Sequence, residues 1–487
     1  MAAAERPPIE PLRPDFTVQC LDHEQLDQLQ EATLNILENV GVRFPSEKAL
    51  GVLADHGAKV DRETQIVKLP PDLVRQSLAT VPRYPILGAR DPLFDLNLER
   101  NVSYFTTDGC GHETIDFETR ERRPSNKADV ARMARVADFL SSIGFCWTMV
   151  SAQDCGRTSP LHELDASWNN SIKHVQSVTL IGPSLVRYGL EMAQVISGSR
   201  EEMRRRPPFS AVICTIAPLI QDREAIEGAM LLAEAGIPAV FLAMPTLGTT
   251  APATLPGALV MSDAECISAI VLMQLVAPGA PVFHSIMRAW ADPRTAAYVG
   301  YPLNGLSSYA PVEMAHHWGL PAMGGAFGTD SSEPGSWQAA AEIAMDPLMV
   351  GLSGAEIVTG IGLRATYTLL YPESIILDDD IYHRARFMLM NMDINPDTLA
   401  LEVIEKVGPG GHFLAQKHTR RHMPHAMERS LAQQLDAQNN YRDPLAVARE
   451  KVDWILKNHA PPPLEKAEQA ELTRILEAAE QEIGKQV

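Results

Sequence analysis

Between residues 127 and 361 the chain switches repeatedly between two hydrophobic patterns. NKADVARMARVADFLSS, EAIEGAMLLAEAG, DAECISAIVLMQLVAPG, APVEMAHHWG and WQAAAEIAMDPLMVGLS space their apolar residues by threes and fours, as one face of a helix does. Between them lie short runs that are apolar throughout: IGFCWTMVSA, SVTLIG, SAVICTIAPL, PAVFLAMPTLG, PVFHSIMRAW, LPAMGGAFGTD and AEIVTGIG. Runs without alternation belong to strands buried on both faces, and their alternation with helices makes the connections parallel. With the run near 102 to 107 there are about eight such units, which predicts a (β/α)8 TIM barrel, with an open doubly wound sheet as the second choice.

The flanks follow other patterns. Residues 1–20 form a proline-rich arm. Residues 21–95 form a helical region in which LDHEQLDQLQEATLNILENVGV, SEKALGVLADHG and PPDLVRQSLATVP carry helix starts and stops. The barrel is expected over 96–371, and residues 372–487 read as helical additions packed on it.

Charge narrows the partner. The 42 Lys and Arg against 61 Asp and Glu give a net charge of -19, which excludes nucleic acid or an anionic membrane as the main partner. The N-terminus lacks an apolar signal core and no stretch approaches the length of an uninterrupted membrane span, so a cytoplasmic location is expected. Six cysteines show no C-x-x-C spacing and read as reduced thiols.

In a barrel of this kind the chemistry gathers where strands end. The polar residues expected there are Thr107 and Asp108, Gln153 and Asp154, Thr215, Thr246, His284 and Arg288, Thr329 to Ser331, and Tyr367 and Tyr371. Each also reads as a cap of the following helix. The bend at 328–337 is more pointed, because glycines at 324, 325 and 328 permit close approach while Thr329, Asp330 and Ser331 supply polar groups. It has no lysine and no GxGxxG, so a neutral or cationic ligand fits better than phosphate. Aromatic residues near the same ends, among them Tyr104, Tyr309, Phe327, Trp337 and Tyr367, suit a methylated ammonium through cation–π contact.

Five ordered stretches carry a resemblance: AMPTLGTTAPATLPGALV (243–260), ADPRTAA (291–297), GTDSSEPGSWQAAAE (328–342), ILDDDIYHRA (376–385) and GPGGHFLAQKHTRRH (408–422). Together they resemble the trimethylamine:corrinoid methyltransferase superfamily over about residues 20 to 460. The resemblance implies a TIM barrel that passes a methyl group from a methylated amine to the Co(I) of a corrinoid. It also implies that a separate corrinoid protein docks over the barrel mouth and that the chain is a homo-oligomer. Founding members carry pyrrolysine in the barrel. Here every position is one of the twenty standard residues, so the chain resembles the branch that demethylates quaternary amines such as glycine betaine.

A quaternary ammonium leaves as a neutral amine and needs no special residue to activate it. A carboxylate pressed against it would favour the ground state, so Asp330 is expected to orient its neighbours. Gln338 falls on a glutamine position of the family's loop and joins Asp330 as an expected catalytic position. Substrate is expected to meet Tyr104, Asp108, Tyr309, Phe327 and Thr329. Ser331, Trp337 and Tyr367 complete the expected pocket, with His284 or Arg288 for a substrate carboxylate. No D-x-H-x-x-G is present, the nearest sequence being Asp55-His56-Gly57, so corrinoid must come from outside and no metal ligand set is expected. Two rivals remain open: a binding or sensing barrel without turnover, and a zinc enzyme using Cys110, His112, Cys146, Cys155 or Cys214, or the histidines at 412, 418, 422 and 425. That last cluster reads first as a helix cap and a solvated face.

Overall fold

Strands that are apolar on both faces must find neighbours on both sides, and here they find them by closing on themselves. A computed structural model describes residues 6–109, 111–300, 306–389, 392–426 and 430–484. Its eight core strands are β1 (Tyr104–Thr107), β2 (Ile143–Trp147), β3 (His174–Ser177), β4 (Phe209–Cys214), β5 (Ala239–Ala243), β6 (Val282–Ile286), β7 (Met323–Gly325) and β8 (Ile357–Ile361). They pair in parallel and in chain order, with β8 beside β1. A bridge from His284 to Ala322 joins β6 to β7 and closes the (β/α)8 barrel.

Most strands alternate between two apolar layers. Phe145, Val212, Val240, Leu242, Phe283, Met323 and Ile357 pack with one another inside the barrel. Phe209, Ala211, Ile213, Phe241 and Val282 face the outer helices instead. Strand β3 departs from the sequence reading, which placed it on SVTLIG. It lies earlier, at His174–Ser177, and its inward residues are polar. They are held by hydrogen bonds: His174 Nε2 and Gln176 Nε2 meet Ser210 Oγ at 2.9 and 3.1 Å. Burial pushes His174 down to about 4, so the ring is neutral.

The longest barrel helix, Leu255–Val276, is the one helix among the described residues with the length and apolarity to cross a membrane, yet 89% of its apolar window is buried. The N-terminal helices His23–Asn35, Glu47–Asp55 and Pro71–Leu78 pack against it. Asp22 and Ser46 cap the first two, each accepting from a backbone N–H of the first turn. The arm runs under the amino-terminal end of the barrel, where Leu12 bridges Ser103 just before β1.

Helix Pro372–Met388 packs on β8 and on helix Lys127–Phe139, completing the ring of barrel helices. The barrel therefore runs past residue 371, and the true additions follow it. Helix Pro444–Asn458 lies on that last barrel helix, and Lys466–Ile483 lies on Pro183–Ser197.

Candidate active site

The carboxyl ends of the strands form a well with a mostly apolar floor and one buried acid. Asp108 follows β1 and is 5% exposed. Its carboxylate accepts from Gly109 N at 2.8 Å and Thr359 Oγ1 at 3.2 Å. Burial outweighs these donors and pushes it up to about 7. Gly109 has no room for a side chain, because a Cβ there would lie 2.1 Å from Trp147 Nε1. The indole lies close against this backbone, and its buried N–H has no partner among the described residues. Val178, Cys214 and Met287 extend the barrel's inner apolar layer upward at the ends of β3, β4 and β6. Met244, after β5, is left partly open.

Above the floor, Asp330 ties three loops together. Its carboxylate accepts from Gly300 N at 3.1 Å and from Thr366 Oγ1 at 2.8 Å. Gly300 closes a hairpin, Ala289–Ala291 with Tyr298–Val299, that rises after β6, while Thr366 belongs to the loop after β8. Ala365, Thr366 and Tyr367 take φ of 50°, 51° and 72°, a left-handed turn that costs such residues about 1–2 kcal/mol each. Backbone bonds from Ala365 N to Ser331 O and from Thr366 N to Thr329 O offset that cost. The outcome is that Tyr367 stands edge-to-face with Tyr298, ring centres 6.1 Å apart. Burial first, then Tyr367 and Asp330, raise the Tyr298 phenol well above its ordinary value, so it stays neutral. Arg288 stands nearby, donating to Ser308 Oγ at 3.0 Å and lying 5.8 Å from the Trp290 ring centre.

Of the positions expected from sequence, Asp108, Arg288, Thr329, Asp330, Ser331 and Tyr367 gather at this end of the barrel. Thr329 and Ser331 act within their own loop: Thr329 Oγ1 donates to Glu342, and Ser331 Oγ meets Ser336 Oγ at 2.7 Å. Gln338 is exposed and donates to Glu342 Oε1 at 2.9 Å, bracing the same helix start. Gln153 donates to His112 O and Asp154 accepts from Lys127 N at the start of helix Lys127–Phe139, Thr215 Oγ1 donates to Glu265 Oε2 on helix Leu255–Val276, Thr246 bonds within its own connection, and Tyr371 is buried.

Five other expectations are corrected. Tyr104 begins β1 and packs inside the barrel at the far end from the mouth. His284 turns outward, its Nε2 2.9 Å from Asp263 Oδ1 on helix Leu255–Val276, in a buried network with Thr33 and Trp318. Tyr309 lies in the outer helix layer with its hydroxyl on Met349 Sδ at 3.5 Å, and Phe327 packs against Phe105 in the outer core at 5.8 Å. Trp337 is 87% exposed. Tyr298 stands at the rim beside Trp290, although only the ADPRTAA turn marked Tyr298's place in the hairpin.

The thiols do not assemble a metal site among the described residues. Cys110 lies outside them. Burial pushes Cys146 up to about 12 and Cys214 up to about 11, so neither is a thiolate. Cys146 faces the outer core, whereas Cys214 faces the barrel interior.

Comparison with known proteins agrees with this fold. Trimethylamine methyltransferase MttB of Desulfitobacterium hafniense is 30% identical over 467 residues, 95% of this chain and 94% of its own. Glycine betaine methyltransferase of the same species is 28% identical over 483 residues, 98% and 99% of the two chains. The solved monomethylamine methyltransferase MtmB of Methanosarcina barkeri shares the fold, with a TM-score of 0.52 at 10% identity over 97% of this chain and 89% of that one. The model of the family described as Trimethylamine methyltransferase (MTTB) matches residues 2–484, and the chain, a TIM-barrel methyltransferase, belongs to that family.

Proposed function

We propose that this enzyme takes a methyl group from a quaternary amine, with a betaine as the representative substrate, and delivers it to the Co(I) of a corrinoid held by a separate protein. The observation that carries the amine is the Tyr298–Tyr367 pair above Asp330. Two neutral rings attract a trimethylammonium group through their faces, at about 2 kcal/mol when water is excluded. Asp330 already accepts from Gly300 and Thr366, so its charge acts through the loops it holds and not by pressing on nitrogen. That suits a reaction in which the positive charge on nitrogen falls as the methyl departs. Arg288 supplies a guanidinium suited to a substrate carboxylate.

The corrinoid would supply the cobalt nucleophile. The apolar floor of Val178, Cys214 and Met287 suits a methyl group shielded from water. Asp55-His56-Gly57 does not fit a resident corrinoid ligand: His56 is exposed at a helix end, its Nδ1 2.8 Å from Val52 O. The residues around the well instead suit a docking partner. Ile216, Met244, Tyr298, Trp337 and Met345 are exposed on the connections that follow β4 to β7. Self-association in the cytoplasm belongs to the same proposal, supported by exposed Ile394, Leu401 and Leu414 in the C-terminal additions.

The test is to incubate the protein with Co(I) cobalamin and glycine betaine, proline betaine, carnitine, choline or trimethylamine, and follow the cobalt spectrum. Methylation with a quaternary amine supports the proposal. Turnover with trimethylamine alone overturns the substrate class, and binding without turnover overturns the reaction.

A further inference from the structure

Between residues 396 and 422 the chain leaves the barrel and buries nothing. Helices Pro396–Leu399, Leu401–Val407 and Lys417–His422 contain no buried residue, so the hydrophobic contribution that fixes the barrel helices is missing. Polar groups converge there on Asp397 instead. His422 Nε2 lies 3.2 Å from Asp397 Oδ2, and His418 Nε2 lies 3.0 Å from the backbone oxygen of the same residue. The two histidines sit one helical turn apart, ring centres 4.3 Å from each other and planes 36° apart. Arg421 pairs through Nη2 with the other carboxylate oxygen, Oδ1, and donates from Nε to His422 Nε2 at 3.3 Å.

We propose that His418 Nε2, His422 Nε2 and Asp397 Oδ2 form a zinc site that staples this excursion. One ligand atom from each of these three residues lies within 4.8 Å of the other two. A tetrahedron with bonds of about 2.0–2.1 Å has edges of about 3.3 Å, so small side-chain rotations bring these atoms onto one ion. Two imidazoles and a carboxylate, with water in the fourth position, suit zinc, whereas magnesium and calcium call for more oxygen. Zinc takes the place of the Arg421 Nε–His422 Nε2 bond, and Arg421 Nη2 remains on Oδ1 as the outer partner that orients a ligating carboxylate. Asp397 lies 24 residues before Arg421, so the ion closes a loop that has no core of its own.

A second group of the same composition shows what distinguishes this one. His23, Asp27 and His317 also lie within 4.8 Å of one another, and they join helix His23–Asn35 to helix Leu306–His317. The first of those helices buries Leu26, Thr33 and Leu34, and the two pack together, so a metal is not needed to hold them.

The experiment titrates untagged, chelator-stripped, full-length protein with zinc chloride by calorimetry and follows tryptic cleavage after Lys406 and Lys417. The expected result is one zinc equivalent whose affinity falls at least about tenfold in H418A/H422A and H418Q/H422Q, and is unchanged in H23A/H317A. Zinc should slow cleavage of wild type and not of the first two variants. No uptake by wild type, or uptake that survives H418A/H422A, overturns the site. Uptake without protection from trypsin overturns the staple.

Discussion

Thr366 Oγ1 donates to Asp330 Oδ1 at 2.8 Å, and this bond ties the loop after the eighth barrel strand to the loop after the seventh. The same carboxylate accepts from Gly300, so one side chain sets the spacing of three loops and with it the position of both rim tyrosines. Removing it should misplace the pocket: Asp330→Ala is expected to lower kcat/KM for the amine about 100-fold, the cost of roughly 1 Å of misplacement. Asp330→Asn keeps an acceptor for Thr366 and should lose less than about tenfold. Steady-state kinetics with free cobalamin separates the two. Equal loss in both variants would show that the charge, and not the clamp, is what matters.

The tyrosine pair yields a prediction about rings against hydroxyls. Tyr298→Phe and Tyr367→Phe keep the aromatic faces and should leave KM for a quaternary amine within about threefold. Tyr298→Leu and Tyr367→Leu remove the faces while retaining much of the volume, and KM should rise about 10- to 30-fold. Because the Tyr298 phenol is raised well above its ordinary value, the wild-type KM should show no alkaline step from its ionisation. Measuring KM at several alkaline pH values checks both points.

Buried acids, Asp108 and Asp346 among them, make stability depend on pH in a stated direction. Asp108 rises from 3.8 to about 7 through burial, and Asp346 does the same, with Arg288 opposing and Glu342 assisting. Between these limits the folded chain holds protons that the unfolded chain has released. Stability is therefore greatest at the acid end of the window and is lost as pH rises through about 7. Each group contributes up to about 1.4 kcal/mol per pH unit within the window. Asp108→Asn should make the fall of stability with pH shallower by up to about 1.4 kcal/mol per pH unit, which urea unfolding from pH 5 to 8 measures.

The barrel was legible because all-apolar runs between amphipathic helices admit few architectures. What such runs conceal is parity. In PVFHSIMRAW nothing marks whether Phe283 or His284 faces inward, and a strand reverses sides at every residue. The barrel interior took Phe283, which left His284 to the outer helix and Asp263. Strand β3 was misplaced for the opposite reason, since its inward residues are polar and their hydrogen-bond partner, Ser210, lies 34 residues beyond Gln176. Asp330 was visible as part of an unusual bend. Its partners were not, because Gly300 and Thr366 lie 30 and 36 residues away in loops without periodicity. Tyr298 could be found only through the ADPRTAA turn that precedes it.

Trp337 supplies the last prediction, and its exposure is what makes it informative. It stands at the start of the helix Trp337–Ile343 that follows the 328–336 bend, 87% exposed, on the same end of the barrel as the well. Large aromatic side chains left open beside an active site are the kind that anchor a docked partner, where truncation commonly costs 2 kcal/mol or more. Small molecules have no reason to notice its loss. Trp337→Ala should therefore leave the rate with free cobalamin and the KM for amine within about twofold, while KM for the corrinoid protein rises about 30-fold. A variant equally impaired with free cobalamin would place the indole in the substrate pocket, which its exposure argues against. A variant unimpaired with either would move the docking surface away from this side of the rim, toward the loops that follow the first three strands.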